Sequence, residues 1–137
     1  MSDSHYKAPS LTTLENSLIR IAVETWRFDK VFKRVVNKLE RTDRSRYEGH
    51  FNWLLKEVQN ALEQSGLYVN NLEGLPFDPG LPATPLNLDE FTEEDELFVD
   101  TMIEPVIMNE RGIVKTGTIT LRKALEDELP PEEDADS

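Results

Sequence analysis

Histidine, cysteine and the acidic residues are the side chains of this sequence that could catalyse a reaction or bind a metal ion. The chain has two histidines, His5 and His50, no cysteine, and 27 aspartates and glutamates. The histidines do not form a site, because one lies in the polar N-terminus and the other in a predicted helix, so neither a triad nor a histidine zinc site is indicated. The lack of cysteine excludes disulfides and thiolate nucleophiles.

We therefore expect no enzyme, no catalytic residue, no metal and no cofactor, and we interpret the acids as a solvated surface. A small enzyme that uses surface carboxylates stays open as an alternative, which metal-dependent turnover would support.

Phosphate, nucleic-acid and membrane binding are all disfavoured by the sequence. Neither G-x-x-x-x-G-K-[ST] nor G-x-G-x-x-G occurs, so no phosphate-binding loop is indicated. The net charge of −12 argues against a basic nucleic-acid surface. No apolar run is long enough for a membrane span, and the N-terminus lacks the pattern of a signal peptide. We expect a cytoplasmic protein that binds neither nucleic acid nor membrane.

The segment Phe77-Asp78-Pro79 lies within residues 74–85, which include four prolines. The aspartate can accept a hydrogen bond from a backbone N–H two residues on, the proline stiffens the turn, and the phenylalanine can anchor the loop to a core. Proline lacks a backbone donor, so we expect an ordered loop here and no strand within a hydrogen-bonded ladder. Such a loop could be presented to a partner.

The element that must position any such loop is a long N-terminal helix with a heptad repeat of mostly apolar residues. Its alternating spacing of three and four residues is typical of a helix that packs along its length against another helix. The apolar residues beside this seam, including Trp26, widen the surface and favour a helical bundle. A core helix of a small globular domain is the alternative. The seam consists of Leu11, Leu14, Leu18, Ile21, Thr25, Phe28, Phe32, Val35 and Leu39.

A second helix is predicted from Arg44 to Ser65, after a turn at residues 41–43, and Gly66 is expected to end it. Two helices joined by a short turn form a hairpin, and two copies of a hairpin form a four-helix bundle. We therefore predict a homodimer held by the seam together with the apolar stripe of the second helix. The stripe residues assigned to dimerisation are Phe51, Leu55 and Val58.

The remaining chain is predicted to form a small β module, so the fold class is α+β. Short apolar runs around residues 67–69, 97–108 and 113–121 indicate strands, and Asn109 to Gly112 indicates a tight hairpin turn. Gly117 within the last strand suggests a bulge or a close backbone approach. We predict a disordered lead-in at 1–10, a helical dimerisation hairpin at 11–66, the β module at 67–124 and an acidic disordered tail at 125–137.

This order of elements resembles the GrpE family, the nucleotide exchange factors of DnaK-type chaperones. Residues 31–40 resemble its stretch L-x-x-V-x-D-x-L-E/D, and residues 62–67 resemble its L-x-x-x-G-V. Residues 74–79 resemble its G-x-x-F-D-P, which is the most specific motif, and residues 113–119 resemble its V-L-R-P-A-x-V. The chain departs from the family after F-D-P, at residues 82–84, and at the R-P-A positions.

The resemblance implies a dimer that presents its β module to the ATPase domain of a DnaK-type chaperone and promotes ADP release. Binding the open nucleotide cleft more tightly than the closed one would lower nucleotide affinity. A GrpE-like adaptor without exchange activity stays open as an alternative. The partner-binding residues expected on this basis are Phe77, Asp78, Pro79, Met108, Arg111, Lys115 and Gly117.

Overall fold

The computed structural model describes residues 7–129 of the chain, so residues 1–6 of the predicted lead-in and residues 130–137 of the predicted tail lie outside the described residues. Two helices precede two small β sheets, which confirms the predicted α+β class. Helix α1 spans Leu11–Val36 and helix α2 spans Arg41–Gln64. At about 1.5 Å per residue, the 26 residues of α1 extend over roughly 39 Å.

Both ends of the helical hairpin follow from local hydrogen bonds. The Ser10 hydroxyl accepts a bond of 3.1 Å from the backbone N–H of Thr13, so Ser10 caps α1. The turn between the helices occupies residues 37–40, earlier than the predicted 41–43, because the N–H groups of Lys38 and Leu39 bond back to the carbonyls at 35 and 36. Leu39 therefore lies in the turn and not on α1. Gly66, with φ of 79°, follows α2 as predicted.

Six strands form two three-stranded sheets. In one sheet β4 lies between β1 and β5, and all pairs are antiparallel. In the other sheet β6 lies between β2 and β3, and β2 is parallel to β6. The strands are β1 Tyr68–Asn70, β2 Ala83–Pro85, β3 Leu97–Glu104, β4 Val106–Asn109, β5 Gly112–Lys115 and β6 Gly117–Lys123.

The proline-rich segment contains a strand, which corrects the prediction that it would form no ladder. Strand β2 is tolerated because it lies at the edge of its sheet, where proline is not required to donate a ladder bond. The carbonyl of Pro82 accepts from the N–H of Gly117, and the N–H of Leu86 donates to the carbonyl of Ile119. Pro82 thus contributes an acceptor next to β2, while Leu86 supplies a donor.

The helices and the β module share their hydrophobic core. Trp26 of α1 packs with Met102 and Ile119 in one cluster, and its indole N–H donates to the carbonyl of Met102. In a second cluster, apolar residues of α1 pack with Leu62 of α2 and Ile107 of β4. Four of the residues beside the seam therefore face the β sheets, whereas their spacing had suggested a wider helical bundle, and a fifth, Val31, is exposed. The α1 residues in these clusters are Ile19, Ala22, Val23 and Trp26.

The chain after β6 is ordered as far as Leu129, which corrects the predicted start of a disordered tail at 125. A short 3-10 turn spans Glu126–Glu128. Arg122 and Glu128 form two hydrogen bonds, of 2.6 and 3.0 Å, that hold this turn against β6. The order arises from a bidentate ion pair, which the local acidic composition did not reveal.

Gly117 lies where the two sheets meet, and it is buried. A Cβ placed on this residue would lie 2.8 Å from the carbonyl oxygen of Glu104 and 2.9 Å from Val106 Cγ2. The predicted close backbone approach is therefore present. A buried residue cannot itself touch a partner, so Gly117 contributes to packing and not directly to the predicted partner-binding surface.

We expect Gly117→Ala to lower the free energy of unfolding by about 1 to 3 kcal/mol, because the added methyl overpacks the junction between the sheets. Gly49→Ala is the matched control, since a Cβ at this position of α2 meets no atom within 4 Å. That control should raise stability by roughly 0.5 to 1 kcal/mol, since alanine is the better helix former. Urea unfolding of both variants measures the difference, and equal midpoints would contradict the assigned packing.

Candidate partner-binding surfaces

The F-D-P loop is anchored as its residue types suggested. The backbone N–H of Phe77 donates to the carbonyl of Leu97 at 2.8 Å, and the Phe77 side chain packs against the core. The Asp78 carboxylate accepts a bond of 2.9 Å from the N–H of Gly80, two residues on. Asp78 and Pro79 are exposed. The loop therefore presents a fixed backbone turn with a free carboxylate edge.

The hairpin of β4 and β5 holds three further predicted residues. The side-chain oxygen of Asn109 accepts from the N–H of Arg111 at 2.8 Å, which shapes the turn and leaves the guanidinium exposed. Met108 is half-buried and packs against the core. Lys115 donates to the carbonyl of Thr116 at 3.1 Å. The hairpin thus carries two bases, the exposed Arg111 and the partly buried Lys115.

The loop and the hairpin are not brought together into one surface. Arg111 lines a cavity of about 610 Å³ with Leu11 and Glu15, at the start of α1. The F-D-P loop instead bonds to the first residue of β3. Glu73, which directly precedes residues 74–79, pairs with Lys30 at 2.6 Å, so the loop lies toward the C-terminal half of α1. A partner would have to span both ends of the β module to contact both the F-D-P loop and the β4–β5 hairpin.

The seam residues divide between the hairpin interior and solvent. Phe51 of α2 is buried and stacks on Phe32 with ring centroids 4.8 Å apart, and Leu18 and Val58 pack against the core. Phe32, Leu39 and Leu55 are half-buried. Leu11 and Leu14 of the first turn are exposed.

An apolar surface remains uncovered along the hairpin, and we call it the open helix face. Its members are between 46% and 56% exposed, and three of them, Phe28, Val31 and Leu54, border a groove of about 550 Å³. Contiguous exposed apolar surface of this kind is typical of interaction sites. The open helix face consists of Ile21, Phe28, Val31 and Val35 of α1 and Leu54 of α2.

A second cavity, of about 370 Å³, shares Arg27 and Val31 of α1 with this groove and lies between that helix and strands β3 and β6. We call it the basic cleft. Three bases and two threonine hydroxyls line it, and no acidic side chain among residues 7–129 does, although the chain carries a net charge of −12. Its polar lining consists of Arg27, Lys30 and Arg34 of α1, Thr101 of β3 and Thr120 of β6.

The three bases of the basic cleft differ in their partners. Lys30 bonds to Glu73 at 2.6 Å and lies over the ring of Trp26. Arg27 lies 3.6 Å from Glu24 and 3.9 Å from Glu104, and it is half exposed. Arg34 is exposed and forms no ion pair within residues 7–129. Sequence analysis missed this site, although bases spaced three and four apart on one helix share a face and are a usable signal.

The C-terminal turn lies on the same sheet face as the basic cleft. Side chains two apart on a strand point to the same side, so Arg122 and Thr120 share that face of β6. The guanidinium of Arg122 and the backbone N–H of Leu125 hold the pKa of Glu128 at about 2. Glu128 conversely raises the pKa of Arg122. The acidic turn is therefore held against this sheet face through Arg122.

The described part of the chain contains neither a group of side chains that could hold a metal ion nor a helix that could span a membrane. No three of its His, Asp and Glu side chains are grouped so that they could hold a metal ion. Neither α1 nor α2 is long and apolar enough to cross a membrane. Comparison with family models, with curated proteins and with solved structures finds no match to this chain.

Proposed function

We propose that this protein is a nucleotide exchange factor, a co-chaperone that binds the ATPase domain of a DnaK-type chaperone and promotes ADP release. The observation that carries the proposal is the pairing of a helical hairpin with a β module that displays a rigid, base-bearing turn. Arg111 stands exposed on a turn shaped by Asn109, and it is one of four bases among residues 67–137. The motif resemblance in residues 74–79 supports the same assignment.

The proposed mechanism requires no catalytic group. The β4–β5 hairpin contacts one lobe of the ATPase domain, and the F-D-P loop supports the module from the other end. If the complex favours the open cleft by about 3 kcal/mol, nucleotide affinity falls on the order of a hundredfold. The helices hold two copies together through the open helix face, and the protein acts in the cytoplasm. The chain itself forms and breaks no covalent bond in this scheme.

The test is stopped-flow release of a fluorescent ADP from a DnaK-type ATPase domain, with and without this protein. We expect acceleration by the native chain, and at least about a tenfold loss of it in Arg111→Ala/Lys115→Ala, because charged hydrogen bonds at a contact are each worth about 1.5 to 3 kcal/mol. Lys56→Ala is the matched control, since Lys56 is an exposed base on α2. An unchanged release rate with folded protein would exclude exchange activity.

A GrpE-like adaptor that binds a dedicated ATPase or another protein without exchange is the second candidate. Two observations favour it. Residues 83–85, which overlap the positions after F-D-P where the chain departs from the family, form a strand against β6. Lys115 also bonds to the neighbouring carbonyl of Thr116. Binding to the ATPase domain without faster ADP release would be the result expected of an adaptor.

A further inference from the structure

We propose that the basic cleft binds an extended acidic peptide of a partner protein, with the pattern acid-x-apolar-x-acid. The observation that carries the proposal is a pair of arginines in the cleft that lack hydrogen-bond partners within residues 7–129 and have an apolar side chain between them. The cleft shares no lining residue with the β4–β5 hairpin, so the inference goes beyond the exchange-factor proposal and does not depend on it.

The free donors of the cleft belong to Arg27 and Arg34. Arg34 is exposed and forms neither an ion pair nor a hydrogen bond within the described chain. Arg27 lies 3.6 Å from Glu24 and 3.9 Å from Glu104, and both distances are too long for a hydrogen bond. Because a guanidinium group binds a carboxylate through two parallel N–H bonds, each arginine can bind one carboxylate of a ligand.

Lys30, the third base of the cleft, is committed to the protein's own structure. Its ammonium group bonds to Glu73 at 2.6 Å and lies 5.0 Å from the centre of the Trp26 ring. The Glu73 carboxylate also accepts a bond of 2.8 Å from the backbone N–H of Met102. This pair links α1 to β3 and leaves the two arginines as the charges that can bind a ligand.

The sheet wall of the cleft carries groups that suit a peptide backbone. Thr101 and Thr120 are paired across β3 and β6, and neither hydroxyl forms a hydrogen bond within the part of the chain that the structure describes. A hydroxyl both donates and accepts, so this pair can bond to the C=O and N–H groups of a peptide, whereas a carboxylate ion offers acceptors only. Val31 and Ile103 add an apolar surface to the lining.

The spacing of three residues along α1 predicts the pattern of the ligand. Arg27, Val31 and Arg34 follow one another at about 6 and 4.5 Å along the helix axis. In an extended peptide, the side chains of residues i, i+2 and i+4 point to one side at intervals of about 6.7 Å. The difference over the whole span is about 3 Å, which two long arginine side chains can absorb. An acid at each end and an apolar residue in the middle therefore match the three side chains.

The size of the cleft favours an extended segment over a helix or a small anion. A helix about 10 Å in diameter occupies roughly 800 Å³ over about 10 Å of its length. The cleft measures about 370 Å³, which is less than half of that volume. A lone carboxylate would leave most of the cleft to water, since one water molecule takes up about 30 Å³ of liquid volume. An extended segment of a few residues fits between these limits.

The test is an NMR titration of the isotope-labelled full chain with two acetylated and amidated pentapeptides in 0.15 M NaCl. Charges more than about 8 Å apart are screened at this salt concentration, so the arginines of the cleft outweigh the net charge of −12. The first peptide is Asp-Ser-Val-Ser-Asp, and the second, Asp-Asp-Ser-Ser-Val, has the same composition in another order. We expect the first to shift the Thr101 and Thr120 amides and to bind about fivefold more tightly than the second.

The decisive comparison is between two arginine variants of the full chain. Arg34→Gln should weaken binding of the first peptide about fivefold, because one carboxylate loses its partner. Arg34 is not a member of the open helix face, so this change does not test the dimer. Arg20→Gln is the matched control and should leave binding unchanged, since Arg20 is an exposed arginine about 21 Å away along α1 and does not line the cleft.

Four results would overturn the proposal. Two concern specificity: equal affinity for the two peptides, and an equal loss of affinity in the two arginine variants. The third is that sodium acetate alone reproduces the shifts of the cleft amides, because the site would then bind any carboxylate. The fourth is that these shifts depend on protein concentration without peptide, because a second copy would then fill the cleft.

Discussion

Trp26→Ala should destabilise the protein by about 3 to 5 kcal/mol, the range for removing a large buried aromatic side chain. Trp26 is 7% exposed and packs among residues of the β module. Its indole N–H satisfies the carbonyl of Met102, which would lose this partner in the variant. Because small domains are stable by about 5 to 15 kcal/mol, the loss is a large part of the total. Urea denaturation followed by circular dichroism measures it.

A conservative variant separates packing from hydrogen bonding. Trp26→Phe retains a large ring but lacks the donor, so we expect a smaller loss of about 1 to 3 kcal/mol. Trp53→Phe is the matched control: Trp53 is 65% exposed on α2, and its replacement should change stability by no more than about 0.5 kcal/mol. If Trp26→Ala and Trp53→Phe gave the same midpoint, α1 would not be packed on the β module as described.

Trp26 also shows what the sequence could and could not reveal about the fold. The apolar period predicted a helix there and predicted that Trp26 would be buried, and both are confirmed. The partner was wrongly assigned, because periodicity identifies which residues leave water but not which surface covers them. A sheet and a second helix both bury apolar side chains, so only tertiary structure distinguishes them.

The strands were predicted less completely for a related reason. Strand β2 contains Pro85, and a proline in a candidate strand normally argues against it. The argument fails at a sheet edge, and edge position depends on the order of distant strands. The ordered turn at Glu126–Glu128 was missed because its partner, Arg122, acts through side-chain geometry. Close packing at Gly117, by contrast, was predicted, because a glycine inside a strand often marks a bulge or a close approach of two backbones.

The candidate surfaces likewise contain features that the sequence could predict and features that it could not. Local chemistry correctly predicted the Asp78 turn and the anchoring of Phe77. Whether that loop and Arg111 share a surface depends on the path of β3, which motif spacing does not contain. The basic cleft was missed because its threonines come from two strands and its bases from a helix. Such a site becomes visible only when the elements are assembled.

The replacement of two residues of the open helix face should convert the proposed dimer into a monomer. We expect Ile21→Glu/Val35→Glu to weaken self-association by more than about a hundredfold, since leaving a buried carboxylate unpaired costs at least about 3 kcal/mol. Both side chains are about half exposed within one chain, and glutamate is a good helix former, so the monomer should keep its fold. Light scattering and sedimentation over a range of concentrations measure the dissociation constant.

The control for this prediction adds the same charge elsewhere. Asn60→Glu/Gln64→Glu places two carboxylates on exposed positions of α2 away from the open helix face, and it should leave the dimer intact. A native chain that is monomeric at micromolar concentration would remove the dimer proposal. Under both the adaptor and the exchange-factor proposals, one copy of the β module would then have to bind the ATPase domain without a second copy. If Ile21→Glu/Val35→Glu is monomeric and still accelerates ADP release, the helices serve to assemble the dimer and the β module alone promotes exchange.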